Sequence, residues 1–266
     1  MEWYLAYLAL GAFVGFFAGL FGIGGGLVMV PMLVWMLEAQ HLGGVHILHL
    51  ALGTSMAAIL FTSFSSARAH HAHGAVDLDI VRRITPGLLL GTLSGALLAS
   101  RVPALPLTIF FALFVYFSAA QMLLQLKPEA ARTLPGTPVI SIVGMLIGAV
   151  SSLVSVGGGV MSVPFMLRHN VPLKQAIGTS AALGFPIALG GTLGYIMTGY
   201  AFDATLPAAT LGFVYLPALI ALALGSVLTT ALGARAAHQL PLAILRRGFA
   251  LLLFALATRL LLKTFI

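Results

Sequence analysis

The chain has 266 residues, of which 60% are hydrophobic and only 7% charged, with no cysteine and a formal charge of +7. Soluble domains carry roughly 25% charged residues, so no soluble fold hides this much apolar surface. The long, unalternating apolar runs exclude an outer-membrane barrel and point to an all-α, polytopic helical membrane protein. The basic residues lie mostly at the ends of apolar runs, which makes them topology signals and not a nucleic-acid footprint. No disulfide or thiol chemistry is available.

In chain order, residues 4–21 are long enough to cross a bilayer. With Glu2 and no Lys or Arg ahead of it, this run reads as a mature helix and not a cleaved signal. A glycine break follows, Gly22-Ile23-Gly24-Gly25-Gly26, and then an apolar run to 37 holding Pro31. That run would span only about 16 Å, half a membrane. Glu38 to His46 reads as a polar loop, 47–67 as a span containing Gly53-Thr54-Ser55, and Arg68 to Arg83 as a polar loop. Residues 84–100 carry Gly87, Gly91 and Gly95 at four-residue spacing, a helix-packing stripe. Residues 105–126 span again.

Lys127 to Pro138 is a charge- and turn-rich linker, dividing the chain into repeats 1–126 and 139–266. Then the order recurs. Residues 139–155 span, Gly157-Gly158-Gly159 breaks the chain, and 160–167 form a second half-helix with Pro164. Arg168 to Lys174 is a loop. Residues 175–200 hold Gly178-Thr179-Ser180 and then Pro186, where a bend or break is expected. Residues 208–234 and 241–262 close the chain. Gly24 to Gly157 and Pro31 to Pro164 are both 133 residues, so one design is used twice. A weak echo joins Arg101…Leu105-Pro106-Leu107 to Arg235…Leu240-Pro241-Leu242.

Glycine triplets should unwind a helix, which a membrane tolerates only where the freed backbone is buried in protein or lines a cavity. A helix restarting there aims its first amides and its positive dipole end inward. Two such starts make a place for an anion. The alternative is that the glycines serve close helix packing alone.

Charge sets the topology. If each half-helix turns back, each half has five segments and the second copy is inverted, giving about eight to ten membrane segments. Arg68, Arg82, Arg83, Lys127, Arg132, Arg168, Lys174, Arg235, Arg246 and Arg247 then share one side, against Arg101, Arg259 and Lys263.

The two glycine-triplet motifs, each ending in Val-Pro, and a Gly-Thr-Ser in each half resemble the TauE/SafE family of sulfite-exporter-like membrane permeases. The resemblance covers essentially the whole chain. It implies a multi-pass carrier in the bacterial inner membrane for sulfite, sulfoacetate or another organosulfonate. Copy two has Ser155-Val156 where copy one has Gly22-Ile23, so the halves are not chemically equal.

The candidate substrate-binding set is Gly24, Gly25, Gly26, Thr54 and Ser55 with Gly157, Gly158, Gly159, Thr179 and Ser180. The hydroxyls would donate to the anion; the alternative is that they bond carbonyls one turn back. His49 and Lys174, each four residues before its Gly-Thr-Ser, are candidate gate or coupling residues, or else interfacial anchors. His70, His71 and His73 with Asp77 and Asp79 offer the one conceivable metal cluster and support the rival reading of a divalent-cation permease or channel. A polar surface loop is the simpler account, and no metal or cofactor is expected. A membrane enzyme is disfavoured, since only six carboxylates exist and they lie mostly in loops. No P-loop motif is present to drive transport with ATP. Expected partners are the small anion, a proton or sodium ion for coupling, the bilayer and a second copy of the chain, with no nucleic acid.

Overall fold

The computed structural model describes residues 2–124, 133–239 and 242–265. The linker residues Lys127 to Arg132 and the Leu240-Pro241 echo lie outside the described residues. The described residues are all-α apart from one short hairpin, 3-10 turns and loops.

Helix α1 (Glu2–Phe21) ends at the first glycine break, and α2 (Gly26–Ala39) leaves it. A 3-10 turn at Gly44–His46 leads into α3 (Ile47–Ala72), followed by α4 (Leu78–Ala99) and α5 (Ala104–Leu124). The second copy repeats this as α6 (Thr137–Leu153), α7 (Gly159–Arg168), α8 (Leu173–Gly199), α9 (Leu216–Gln239) and α10 (Leu242–Phe265). Between α8 and α9 lie a 3-10 turn at Tyr200–Thr205 and an antiparallel hairpin, β1 (Thr210–Leu211) with β2 (Val214–Tyr215).

Several boundaries differ from the sequence expectation. The polar stretch 68–83 is mostly helical, because α3 runs on to Ala72 and α4 begins at Leu78, where the Asp77 carboxylate accepts the amides of Asp79 and Ile80 as an N-cap. Helix α8 passes through Pro186 without a break. The run expected as helix from 208 starts as the hairpin.

Residue-by-residue neighbours fix the helix directions. Gly11, Gly15 and Gly19 of α1 face Leu222, Ser226 and Thr230 of α9 in step, so these helices are parallel. Gly87, Gly91 and Gly95 of α4 face Ser141, Met145 and Ala149 of α6 in the same way. Thr54 meets Tyr215 and Thr62 meets Ser226, so α3 runs with α9. Gly178, Gly190 and Gly194 meet Ala75, Thr92 and Ala96, so α8 runs with α4. In contrast Gly53, Met56 and Ser63 of α3 meet Tyr195, Gly191 and Gly184 of α8, which makes this central pair antiparallel. Thus α1, α3 and α9 point one way and α4, α6 and α8 the other. Equivalent helices oppose each other, and the repeat is inverted. Since α1 and α3 are parallel, α2 must return the chain to the side it entered from; α7 does the same in copy two. Each repeat lends a helix to the other: α9 packs on α1, and α4 on α6.

Five helical stretches among the described residues are long and apolar enough to cross a membrane, with the two central ones the most enclosed. Large apolar side chains such as Leu113, Phe117, Leu146, Leu228 and Leu251 point outward, as a lipid solvent requires. The chain is a polytopic helical membrane protein.

Candidate functional site

The two glycine breaks meet at the middle of the molecule. A Cβ on Gly24 would lie 2.8 Å from the Gly157 Cα, and one on Gly157 would lie 2.9 Å from the Gly24 Cα. The Gly157 amide donates to the Ile23 carbonyl at 3.2 Å. A Cβ on Gly26 would fall into the Ser155 carbonyl oxygen, and one on Gly159 would lie 2.5 Å from the Gly22 carbonyl oxygen. Backbone therefore crosses backbone with no room for a side chain. Both Gly24 and Gly26 also reach Ile59, halfway along α3, while the Gly157 carbonyl lies beside Gly184, near the middle of α8.

Both half-helices start alike. The N-cap residues Gly25 and Gly158 hold left-handed conformations with φ of 85° and 83°, and no side chain caps either start. The first amides of α2 and α7 are thus left without side-chain acceptors at the positive ends of their helices. Pro31 and Pro164, one turn further on, remove one intrahelical hydrogen bond in each. At the position of Gly22 (φ 68°), copy two places Ser155 at φ 48°, an unusual backbone for serine, with its hydroxyl donating to the Leu52 carbonyl at 3.1 Å.

The two Gly-Thr-Ser motifs act as matched clamps. The Thr54 hydroxyl oxygen accepts the Tyr215 amide at 2.9 Å, and Thr179 accepts the Asp77 amide at 2.9 Å. A Cβ on Gly53 or Gly178 would collide with the carbonyl of Phe213 or Ala75 in those same loops. Each motif therefore grips the loop that leads into α9 or α4, on the opposite repeat. Ser180 donates to the Gly22 carbonyl at 3.0 Å and so ties the second motif to the first break. Ser55 donates only weakly, to the Met29 sulfur at 3.8 Å. A second matched pair joins α3 and α8 to the helices before the breaks. His70 Nε2 lies 3.0 Å from the Gly19 carbonyl, and the Tyr195 hydroxyl donates to the Ser152 carbonyl at 2.9 Å. Each holds the last turn before a break.

A small hollow opens beside the first break, lined by Ala18, Gly22, Gly24, Thr62, Ser63, Ser66, Ala181 and Gly184. Its free space is about that of a single water molecule. No charged side chain lines it. The hydroxyls Thr62, Ser63 and Ser66 come from one apolar helix, and the dense Thr62-Ser63-Phe64-Ser65-Ser66 run was the available sequence signal for them.

His49 and Lys174 occupy unlike places. His49 is buried, with Nε2 3.2 Å from the Ala99 carbonyl and 3.3 Å from the Val102 carbonyl, and it packs on the Phe213 ring. It fastens the α4–α5 corner. Lys174 is exposed at the start of α8, at the other end of the molecule.

The histidine run does not form one cluster. His70 turns inward to Gly19, while His71 and His73 are exposed and His73 Nδ1 approaches the Ala69 carbonyl. Asp77 caps α4 and Asp79 pairs with Arg83. Among the described residues no group of three or more His, Asp or Glu is placed to hold a metal.

A family model described as "Sulfite exporter TauE/SafE" matches residues 7–260. A "Probable membrane transporter protein" of Haemophilus influenzae is 38% identical over 260 residues, covering 97% of this chain and 98% of its own. The "Probable membrane transporter protein YdhB" of Bacillus subtilis is 28% identical over 194 residues, 70% of this chain and 76% of its own. The "Probable membrane transporter protein MJ0441" of Methanocaldococcus jannaschii is 24% identical over 237 residues, 85% and 83% of the two chains. No solved structure matches.

Proposed function

The chain belongs to the sulfite exporter TauE/SafE family of membrane transporters, and from that premise we propose that it is a secondary carrier of a small sulfur-containing anion, such as sulfite or an organosulfonate. The observation that carries this reading is the crossing of two uncapped helix starts at the centre of an apolar bundle. Uncapped amides at positive helix ends favour an anion and repel a cation. The neutral lining suits a carrier, which must release what it binds.

The inverted repeat supports alternating access, since two mirrored halves can exchange roles about a fixed crossing. The hollow beside Gly24 has room for about a water, so the two breaks must part to admit an anion. The basic residues at the α3 C-terminal end support a cytoplasmic location for that face and a bacterial inner membrane for the carrier. The coupling ion is a proton or sodium.

The test is uptake into proteoliposomes of radiolabelled sulfite and sulfoacetate, with pH gradient, sodium gradient and membrane potential set independently. Saturable flux of at least one anion, driven by one of these gradients, is expected. Absence of flux for both anions under every gradient, in protein that remains folded, overturns the reading.

A further inference from the structure

Many buried hydroxyls in this bundle follow one habit. Thr62, Ser63, Thr92, Thr108, Ser118, Ser152, Ser226 and Thr230 each donate to a carbonyl three or four residues earlier in their own helix. Ser55, Ser155 and Ser180 instead bond other elements, and three buried serines, Ser66, Ser151 and Ser162, make no hydrogen bond at all. They are 2%, 0% and 1% exposed. In an apolar interior such a hydroxyl costs free energy that a bond to the carbonyl one turn back would remove. Each departure calls for an explanation.

Two of the three lie at the glycine breaks. Ser66 lines the hollow with Gly22 and Gly24, facing the break that precedes α2. Ser162 stands in the first turn of α7, where a Cβ on Gly158 would come 4.0 Å from its hydroxyl oxygen. Gly24 and Gly157 touch, so each serine stands beside one of two breaks that meet. The Ser151 hydroxyl is not among the groups that line the hollow or meet the glycines of either break. The two serines are not related by the repeat. Ser66 corresponds to Gly191, and Ser162 to Met29. The hydroxyls named from the Gly-Thr-Ser motifs are differently occupied, with the Thr54 and Thr179 oxygens accepting loop amides and Ser180 donating to Gly22.

We propose that Ser66 and Ser162 are the donor hydroxyls that contact the transported oxyanion, one beside each of the crossed glycine breaks. This rests on the carrier reading above and deepens it. The site is then asymmetric, because each repeat contributes its hydroxyl from a different element. An oxyanion supplies the acceptor that both serines lack, and the amides at the starts of α2 and α7 complete its donor shell.

The experiment is calorimetric titration of the purified full-length protein with sulfite and, separately, sulfoacetate, together with a thermal melt of each variant. The variants are Ser66→Ala, Ser162→Ala and, as a control, Ser118→Ala on α5. Loss of one hydrogen bond to a charged ligand should weaken binding by about tenfold or more. Because the removed hydroxyls bond nothing in the empty protein, Ser66→Ala and Ser162→Ala should melt no lower than the parent. Ser118→Ala should leave affinity unchanged. Affinities within twofold of the parent for both anions overturn the proposal. So does a loss of affinity matched by a lower melting temperature, which marks a structural role. If the parent binds neither anion, the sulfur-anion reading falls and the serine roles with it, a result distinct from unchanged affinity in the variants.

Discussion

At the scale of single residues, the two Gly-Thr-Ser motifs do mechanical work. Each threonine oxygen accepts the amide of a loop from the other repeat, and each glycine lets that loop's carbonyl approach the helix. Valine has nearly the shape of threonine but no acceptor. Thr54→Val therefore leaves the Tyr215 amide unpaired, and Thr179→Val does the same to Asp77. An unsatisfied amide in these half-buried loops costs up to about 1–3 kcal/mol, so each variant should melt measurably lower, and the double variant lower still. Equal melting temperatures would remove the clamps from the account. The motifs were legible in the sequence, but their partners were not. Tyr215 lies 161 residues from Thr54, and nothing local specifies that pairing.

At the scale of elements, glycine decides which helices pair. Gly91 of α4 rests on the Met145 backbone, and Gly15 of α1 rests on Ser226. Close approach of this kind is the main source of helix association in lipid, where apolar side chains gain nothing by leaving the bilayer. Gly91→Leu should force α4 away from α6, costing at least about 1–3 kcal/mol. Leu146→Ala, on the outward face of α6, should do almost nothing. Thermal melts in detergent and the yield of monodisperse protein distinguish the two. The half-helices show a further element-scale property. Helix α2 is held at its far end, where Glu38 pairs with Lys263 of α10 and Arg259 stacks over Trp35 at 5.0 Å. Its near end is the uncapped start at the glycine crossing. The element is thus anchored at the surface and bare at the centre, the arrangement a binding site needs.

At the scale of the whole molecule, the helix directions fix which charges share a face. Arg68, Arg82, Arg83, Arg168, Lys174, Arg235, Arg246 and Arg247 fall at one end of the bundle, and Arg101, Arg259 and Lys263 at the other. The chain has no cysteine, so single-cysteine reporters can be read without background. In intact cells, a cysteine replacing Gly74 or His169 should resist an impermeant maleimide, and one replacing Arg101 or Lys263 should react. The reverse pattern would invert the assigned orientation, and a mixed pattern would break the inverted repeat.

Composition and apolar run length alone determined that the chain crosses a membrane as helices, because no other solvent accepts such a sequence. The 133-residue recurrence of Gly-Gly-Gly and Pro determined the doubling, and the distribution of arginine and lysine favoured its inversion, while the return of the two half-helices was decided by the packing of α1 and α3 on α9. Only the tertiary structure decided what each hydroxyl does. Threonine and serine look alike in a sequence whether they back-bond their own helix, clamp a distant loop or bond nothing. The difference between Thr54, Ser118 and Ser66 depends on which backbone atoms lie within hydrogen-bonding reach, and that is settled only when helices far apart in the chain pack together.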